Sequence, residues 1–331
     1  MPAPAIHHQR RHHSVVMRVS MLAVLGLPIS ACSTLTSKTS SVSLSPEIKP
    51  PSVALVLGGG GAKGFAHVGV IKALEEQGIT PTLIVGTSVG SLVGSLYASG
   101  YAPTQLEQLA LTTTDSELTD FVLSNQGFIE GIKLKNFINN KVRGQAIEDF
   151  PIRFAAVAAE KHTLAKAVFT TGDAGLAVQA SCSIPNIFIA PRIPETVGKK
   201  YIDGGVVSLV PVDTARYLGA DIVIAVDITA TNATGGTPTI NKMPTLNSVS
   251  SFWGFLENNI AAQPNTNRVS SMRQERDRAD IVITPDVGHI SSIDTRQRRA
   301  LITAGTQATT PQIAAIKQLI KQKSESKYAT L

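Results

Sequence analysis

A short apolar run that ends in a glycine-flanked serine is the feature that most constrains the fold. Residues 83–90 read Leu-Ile-Val-Gly-Thr-Ser-Val-Gly, and the apolar part is typical of a strand buried on both faces. Gly86 and Gly90 stand two residues either side of Ser88, where a tight turn from strand to helix brings backbone against backbone. The pattern predicts a strand-turn-helix elbow with Ser88, the candidate nucleophile, at its bend.

A second apolar run precedes the elbow and sets the expected fold class. Residues 53–57 read as another buried strand, which leads into the glycine-rich residues 59–64 and then into a helix that Gly78 should end. The order of strand, glycine loop, helix, strand, elbow and helix predicts an α/β fold with a mainly parallel sheet. Adjacent parallel strands would place the glycine loop beside Ser88.

The glycine loop fits a nucleotide site poorly. It matches the dinucleotide pattern G-x-G-x-x-G, but that site needs an acidic residue at the end of the second strand, where this chain has Gly86, Thr87 and Ser88. A phosphate loop needs lysine followed by serine or threonine, whereas Lys63 precedes Gly64. The other use of such a loop is to direct backbone N–H groups at an oxyanion beside a helix N-terminus.

A serine nucleophile needs a base, and histidine is the usual one. Of the seven histidines, four fall in the first 13 residues. His67 lies on the apolar face of the first predicted helix, where core packing is expected, and His162 falls in a predicted hairpin turn. His289 follows Ser88 and Asp203 in the order of an α/β-hydrolase triad and is the rival base.

Three blocks in order resemble those of patatin-like phospholipases. They are residues 59–64, residues 86–90 and residues 203–205, the last reading Asp-Gly-Gly. Residues 181–185, Ser-Cys-Ser-Ile-Pro, and the Pro-Val pair at 211–212 are also similar to that family. The similarity spans roughly residues 53–284, and the ordered set is far more specific than any single block.

The resemblance implies a three-layer α/β fold, with helices on both sides of a central, mainly parallel sheet, and a Ser-Asp dyad. In that family, Ser88 would be the nucleophile, Asp203 the base without histidine, and the amides of Gly59, Gly60 and Gly61 the oxyanion hole. The glycines that would support these motifs are Gly64, Gly86, Gly90, Gly204 and Gly205. The implied substrate is a lipid ester, with no metal and no cofactor. Lys63 stands where many members carry arginine.

The N-terminus has the layout of a secretory signal. Three arginines precede an apolar run over residues 19–31, which as a helix would span about 20 Å against a bilayer core of about 30 Å. Residues 29–32, Ile-Ser-Ala-Cys, resemble the lipobox of bacterial lipoproteins, which implies acylation of Cys32. Ser33 favours the outer membrane over the inner, and Met17 is an alternative start. We therefore expect a lipid-anchored protein of a bacterial cell envelope.

The expected domains are a signal peptide over residues 1–31, a tether over 32–51, a catalytic domain over 52–322 and a tail over 323–331. Residues 229–251 are rich in Thr, Asn, Gly and Pro and predict a mobile excursion. The aromatic cluster Phe252, Trp253 and Phe255 follows, and either packs in the core or forms a membrane-facing lid.

Charge and cysteine content exclude some classes of partner and structure. Residues 1–31 carry three arginines and no acid, so the formal charge of +6 falls to +3 on processing, which argues against nucleic acid as the main partner. Cys182 is the second of two cysteines, so no disulfide is expected once Cys32 is acylated. Two alternatives stay open, namely a lipid-binding lipoprotein with a degenerate site and an esterase with a Ser88-Asp203-His289 triad.

Overall fold

The computed structural model describes residues 50–124, 126–230 and 266–329. The predicted signal peptide, almost all of the tether, and Cys32 lie outside the described residues, as do most of the excursion and the aromatic cluster at Phe252, Trp253 and Phe255.

Within the described ranges, eight strands form one mixed, mostly parallel sheet. Their order is β5-β6-β3-β2-β1-β7-β8, with β4 also paired to β3. The neighbouring strands β3, β2, β1, β7 and β8 are all parallel to one another. By contrast, β4 and β6 pair with β3 antiparallel, and β5 pairs with β6 antiparallel. The strands are β1 Val53–Leu57, β2 Leu83–Thr87, β3 Arg153–Glu160, β4 Lys166–Phe169, β5 Arg192–Ile193, β6 Lys199–Asp203, β7 Ile222–Val226 and β8 Ile281–Ile283.

Helices cover both faces of the sheet, which gives the three layers expected. Alternate residues of β1 point to opposite faces. Leu55 and Leu57 join the core beneath α1, α2 and α9, while Ala54 and Val56 join the core beneath α7. The helices are α1 Phe65–Glu75, α2 Val89–Ala98, α3 Pro103–Thr112, α4 Asp115–Leu118, α5 Ile132–Lys141, α6 Ala174–Ser181, α7 Val212–Tyr217, α8 Thr266–Arg276, α9 Arg298–Thr309 and α10 Ile313–Ala329.

The C-terminal helical region differs in extent from our expectation. The structure places a 3-10 turn over Thr310–Gln312 between α9 and α10. However, α10 continues through Ala329, into the region expected to be a tail. None of the helices in the described part of the chain is long and apolar enough to cross a bilayer.

One edge of β3 carries two different strands end to end. Gly86 and Thr87 of β2 pair with Ala156 and Val157, and the next residue of β3, Ala158, pairs with Asp203 of β6. Because β4 pairs with all of residues 156–159 and so occupies the other edge, β6 must continue where β2 stops. This arrangement places the end of β6 directly beside the turn that follows β2.

Two glycines let α1 and α9 cross in backbone contact. A Cβ atom on Gly69 of α1 would lie 1.9 Å from the carbonyl oxygen of Ile302, and one on Gly305 of α9 would lie 2.0 Å from that of Ala66. The Thr306 hydroxyl donates a hydrogen bond to the Gly69 carbonyl at 3.2 Å. Since α1 begins directly after the glycine loop, this crossing also fixes where that loop ends.

Candidate active site

Ser88 lies at the sharp turn between β2 and α2. Its backbone is strained, with φ 54° and ψ −127°, an uncommon conformation for a residue with a side chain. A Cβ atom on Gly86 would lie 2.4 Å from the Gly90 carbonyl oxygen, and one on Gly90 would lie 2.0 Å from that of Leu57. Both positions therefore require glycine, for the close backbone approach expected of an elbow.

Hydrogen bonds to both backbone groups of Ser88 hold the elbow in place. The Ser88 N–H donates to the Ser181 hydroxyl at 2.9 Å, and that hydroxyl donates to the Val157 carbonyl at 2.6 Å. The Ser88 carbonyl accepts from the Ser91 hydroxyl at 2.7 Å. Sequence reasoning assigned no role to Ser181, although it opens the Ser-Cys-Ser-Ile-Pro block that carried part of the family resemblance.

Asp203 ends β6 with its carboxylate fully buried next to the elbow. Its Oδ1 accepts a hydrogen bond from the Gly205 N–H at 2.7 Å, and its own N–H donates to the Ser183 carbonyl at 2.8 Å. Its Oδ2 has no well-aligned partner among the described residues. Gly204, the next residue, lies so close to β3 that a Cβ atom on it would be 2.2 Å from the Val157 carbonyl oxygen.

Burial raises the pKa of the Asp203 carboxyl to about 6, and the nearby Ser88 hydroxyl and the hydrogen bond from the Gly205 amide, which both favour the charged form, oppose this rise. The structure thus brings the Ser88 hydroxyl to a carboxylate that water does not solvate. Burial destabilises the charged form of a carboxylate relative to the protonated form, so the carboxylate is a stronger proton acceptor near neutral pH.

The glycine loop offers fewer free amides than its sequence implies. The Gly59 N–H is already donated to the Leu209 carbonyl at 3.0 Å, so it does not face the nucleophile as a free donor. Ala62 likewise donates to the Ser292 carbonyl at 2.7 Å. For the N–H groups of Gly60 and Gly61, the described part of the chain provides no acceptor. Gly61 adopts φ 59°, a conformation that favours glycine.

A buried histidine supports this loop from behind. His67 is fully buried, and burial lowers its pKa to about 4. Its Nε2 contacts the Gly58 carbonyl at 2.8 Å, and because a carbonyl only accepts, this nitrogen carries the proton of a neutral ring. The expected core histidine therefore also anchors the start of the glycine loop. Burial also lowers the pKa of the half-buried Lys63, and the negative charge of Asp227 opposes this shift.

A polar chain behind the elbow ties it to α8. The Thr87 hydroxyl donates to the Ser208 carbonyl at 2.8 Å, and the Ser208 hydroxyl donates to Glu275 Oε2 at 2.8 Å. Glu275 is nearly buried and pairs with Lys166 at 3.0 Å. These long-range contacts gave no signal in the sequence, because each depends on how distant elements pack.

The other candidate residues do not join the Ser88 and Asp203 pair. His162 and His289 are exposed, and neither makes a side-chain hydrogen bond to Ser88 or Asp203 within the described ranges. The Cys182 thiol is buried 3.9 Å from the Ser91 hydroxyl, and burial raises its pKa, so it stays protonated and unreactive. No cluster of three or more metal-ligating side chains occurs in the described residues.

Comparison with known proteins gives the same reading of the chain. Residues 55–216 match the family model for patatin-like phospholipase. An uncharacterised NTE family protein of Mycobacterium bovis is 36% identical over 189 residues, covering 55% of this chain and 51% of the relative. Patatin-like phospholipase domain-containing protein 7 of Mus musculus is 33% identical over 183 residues, covering 54% of this chain and 14% of the relative. The match thus spans about half the length of the mycobacterial relative.

Among solved structures, VipD from Legionella pneumophila has the same fold. The TM-score is 0.55 at 14% sequence identity, and the match covers 81% of this chain and 67% of that one. At this level of identity the similarity concerns the fold alone, and it agrees with a mostly parallel sheet between two layers of helices.

Proposed function

Because the chain belongs to the patatin-like phospholipase family, we propose that it is a serine acyl hydrolase that releases fatty acids from phospholipids or related lipid esters. The observation that carries this proposal is the Ser88 hydroxyl beside a buried carboxylate whose pKa is raised to about 6. A hydroxyl, a desolvated base and nearby free amides are the groups that acyl transfer requires.

The first half-reaction acylates the enzyme. Ser88 Oγ attacks the ester carbonyl carbon while its proton passes to the Asp203 carboxylate. The carbonyl oxygen becomes an oxyanion that the N–H groups of Gly60 and Gly61 stabilise, together with the N-terminus of α2. Loss of one good oxyanion donor costs about 3–4 kcal/mol in the barrier, so two preorganised amides contribute much of the rate enhancement. The intermediate collapses to an acyl-Ser88 ester, and the leaving alcohol takes the proton from Asp203.

The second half-reaction repeats these steps with water. Asp203 accepts a proton as a water molecule attacks the acyl-Ser88 carbonyl, and the oxyanion forms in the same place. Collapse releases the fatty acid and returns the proton to Ser88 Oγ. We assign the role of Gly59 to holding the loop, since its amide is donated to Leu209.

The test is hydrolysis of a lipid ester panel by the folded protein and its variants. Ser88→Ala and Asp203→Ala should each abolish turnover, while His289→Ala should retain most of it because His289 is exposed. Full activity in Ser88→Ala would reject the proposal. A large loss in His289→Ala would instead favour the triad esterase. Covalent labelling of Ser88 by a fluorophosphonate separates an enzyme from a lipid-binding protein with a degenerate site.

We further propose that the protein is anchored to a bacterial membrane through an acylated Cys32. Because Ser33 follows Cys32, we propose the outer membrane rather than the inner one. The support is the apolar run followed by Ile-Ser-Ala-Cys at residues 29–32. Radiolabelled palmitate should be incorporated into the wild-type protein and not into Cys32→Ser. Equal membrane association of both proteins after fractionation would contradict the anchor.

A further inference from the structure

A cavity of about 210 Å³ begins beside the elbow and is lined mainly by apolar side chains. Neither Ser88 nor Asp203 lines it, but Val89, the residue after the nucleophile, does, as does Gly61 of the glycine loop. The cavity therefore adjoins the position where the carbonyl of a bound ester would lie in the proposed reaction.

One face of α2 forms a wall that leads away from Ser88. Val89, Leu92, Val93 and Leu96 all line the cavity, and the spacing i, i+3, i+4, i+7 puts them on one side of the helix. The distance from the first to the last along the helix axis is about 10 Å at 1.5 Å per residue. The cavity is thus a channel directed away from the nucleophile.

Exposure along the channel shows which end is its mouth. Leu92 of α2 and Leu109 of α3 are half-buried, whereas Val93, Leu96 and Leu106 are exposed by only 6%, 3% and 2%. Val89, next to Ser88, is half-buried as well, so the α2 wall is more exposed near Ser88 and is closed at the floor formed by Leu96 and Leu106.

The polar lining lies away from the floor. Thr113, Asp115, Thr295 and Arg298 line the cavity at the turn after α3 and at the start of the C-terminal helices. Arg298 is committed there, donating to the Ala110 carbonyl at 2.9 Å and to Asp115 Oδ1 at 3.0 Å. Its guanidinium also lies 5.0 Å from the Phe65 ring centroid. An apolar floor of this kind offers water no partners and suits a hydrocarbon chain.

We propose that this channel binds the fatty acyl chain of the substrate, with the ester carbonyl at Ser88 and the chain end towards Leu96 and Leu106. The inference rests on the proposed acyl hydrolase function and adds to it the element that selects chain length. Each methylene that enters the channel should raise kcat/KM about fourfold, until the chain reaches the floor.

Two tryptophan substitutions on the same helix provide the test. Leu109→Trp fills the channel near its mouth, while Leu111→Trp is the matched control, since Leu111 is also half-buried on α3 but does not line the channel. Exclusion of two methylenes at about fourfold each predicts a loss of at least about tenfold. The ratio of dodecanoyl to butanoyl p-nitrophenyl ester hydrolysis should fall by that factor in Leu109→Trp and stay within about twofold of wild type in Leu111→Trp.

Binding of laurate tests the channel without turnover. In a Ser88→Ala background, titration calorimetry should show laurate binding that Leu109→Trp weakens at least about tenfold and Leu111→Trp leaves unchanged. If laurate binds in this way but no ester is hydrolysed, the proposed function fails and the channel assignment stands.

Equal effects of the two tryptophans on both readouts, or hydrolysis with no dependence on chain length, would overturn the channel assignment. If Leu109→Trp does not fold, Leu92→Phe on the facing wall replaces it, with the same expectations.

Discussion

At the scale of single residues, burial shifts the pKa values of Asp203 and His67 in opposite directions, upwards for the acid and downwards for the base. Asp203 resists losing its proton, with a pKa of about 6, and His67 resists gaining one, with a pKa of about 4. In both cases burial disfavours the charged form. One of the two groups is proposed to do chemistry, and the other holds the glycine loop.

The pKa of Asp203 predicts the pH dependence of activity. The base must be ionised to accept the Ser88 proton, so kcat/KM should fall tenfold per pH unit below about pH 6. Steady-state hydrolysis of a soluble ester between pH 4 and 8 measures this limb. A profile that stays flat down to pH 4.5 would contradict the role of Asp203 as base.

The same two groups predict opposite effects of pH on stability. Folding raises the Asp203 pKa, so above about pH 6 the buried, ionised carboxylate lowers the free energy of unfolding by about 3 kcal/mol. This destabilisation disappears as the pH falls towards 4 and the carboxylate becomes protonated. The His67 pKa is lowered on folding, so stability is lost as pH falls from about 6.5 to 4, by a similar amount. The two contributions offset each other in the wild-type protein.

Single variants should separate these contributions. Asp203→Asn should raise the free energy of unfolding at pH 8 and give no gain at pH 4, whereas the stability deficit of His67→Gln should shrink as pH falls from 7 to 4. Urea unfolding at pH 4, 6 and 8 measures both trends. A stabilisation by Asp203→Asn that is the same at every pH would show that its cause is not ionisation.

At the scale of secondary-structure elements, the sequence predicted most helices and strands because their apolar runs and glycine boundaries are local signals. It did not predict the role of Gly305, since one glycine within a helix looks only unfavourable by propensity. The structure shows its use, because a side chain at Gly305 would meet the backbone of α1. The same limit hid Glu275 and Ser208, whose value depends on the partner that packing supplies.

The α1–α9 crossing predicts a strong effect of a single methyl group. In Gly305→Ala the new Cβ would lie 2.0 Å from the Ala66 carbonyl oxygen, so the helices must separate, at a cost of about 1–3 kcal/mol. Thermal unfolding measures the loss. Thr303→Ala, on the exposed side of α9, is the control and should change stability by less than about 0.5 kcal/mol. Equal effects of the two changes would show that the crossing tolerates the methyl group.

At the scale of the whole molecule, the pairing of Ser88 with Asp203 depends on topology that no local pattern reveals. The elbow was predicted from spacing and glycine positions, but Asp203 was identified through resemblance to a family. Its strand, β6, joins an edge of β3 that β2 has already used, and it runs antiparallel to both. The order of polar and apolar residues within Lys199–Asp203 does not indicate where this strand lies in the sheet.

This topology predicts that the close approach of β6 to β3 matters more for activity than for stability. In Gly204→Ala the Cβ would lie 2.2 Å from the Val157 carbonyl oxygen, which forces the end of β6 and its carboxylate away from Ser88. A misplacement of about 1 Å costs on the order of 100-fold in rate, so kcat should fall by about that factor. Gly172→Asn, a glycine position with open space around it, should retain near wild-type kcat. Wild-type kcat in Gly204→Ala would contradict the prediction.

Because β2 and β6 pair with consecutive parts of one edge of β3, the position of Ser88 relative to Asp203 depends on few parts of the chain. Three neighbouring strands, β2, β3 and β6, set the separation of Ser88 and Asp203, and the segment before β6 joins this frame through β5, which pairs with β6. We therefore expect changes in the loop between β5 and β6, over residues 194–198, to leave the separation of Ser88 and Asp203 unchanged. On the proposed function, substrate preference would then change through such loops while the arrangement of the three strands stays the same.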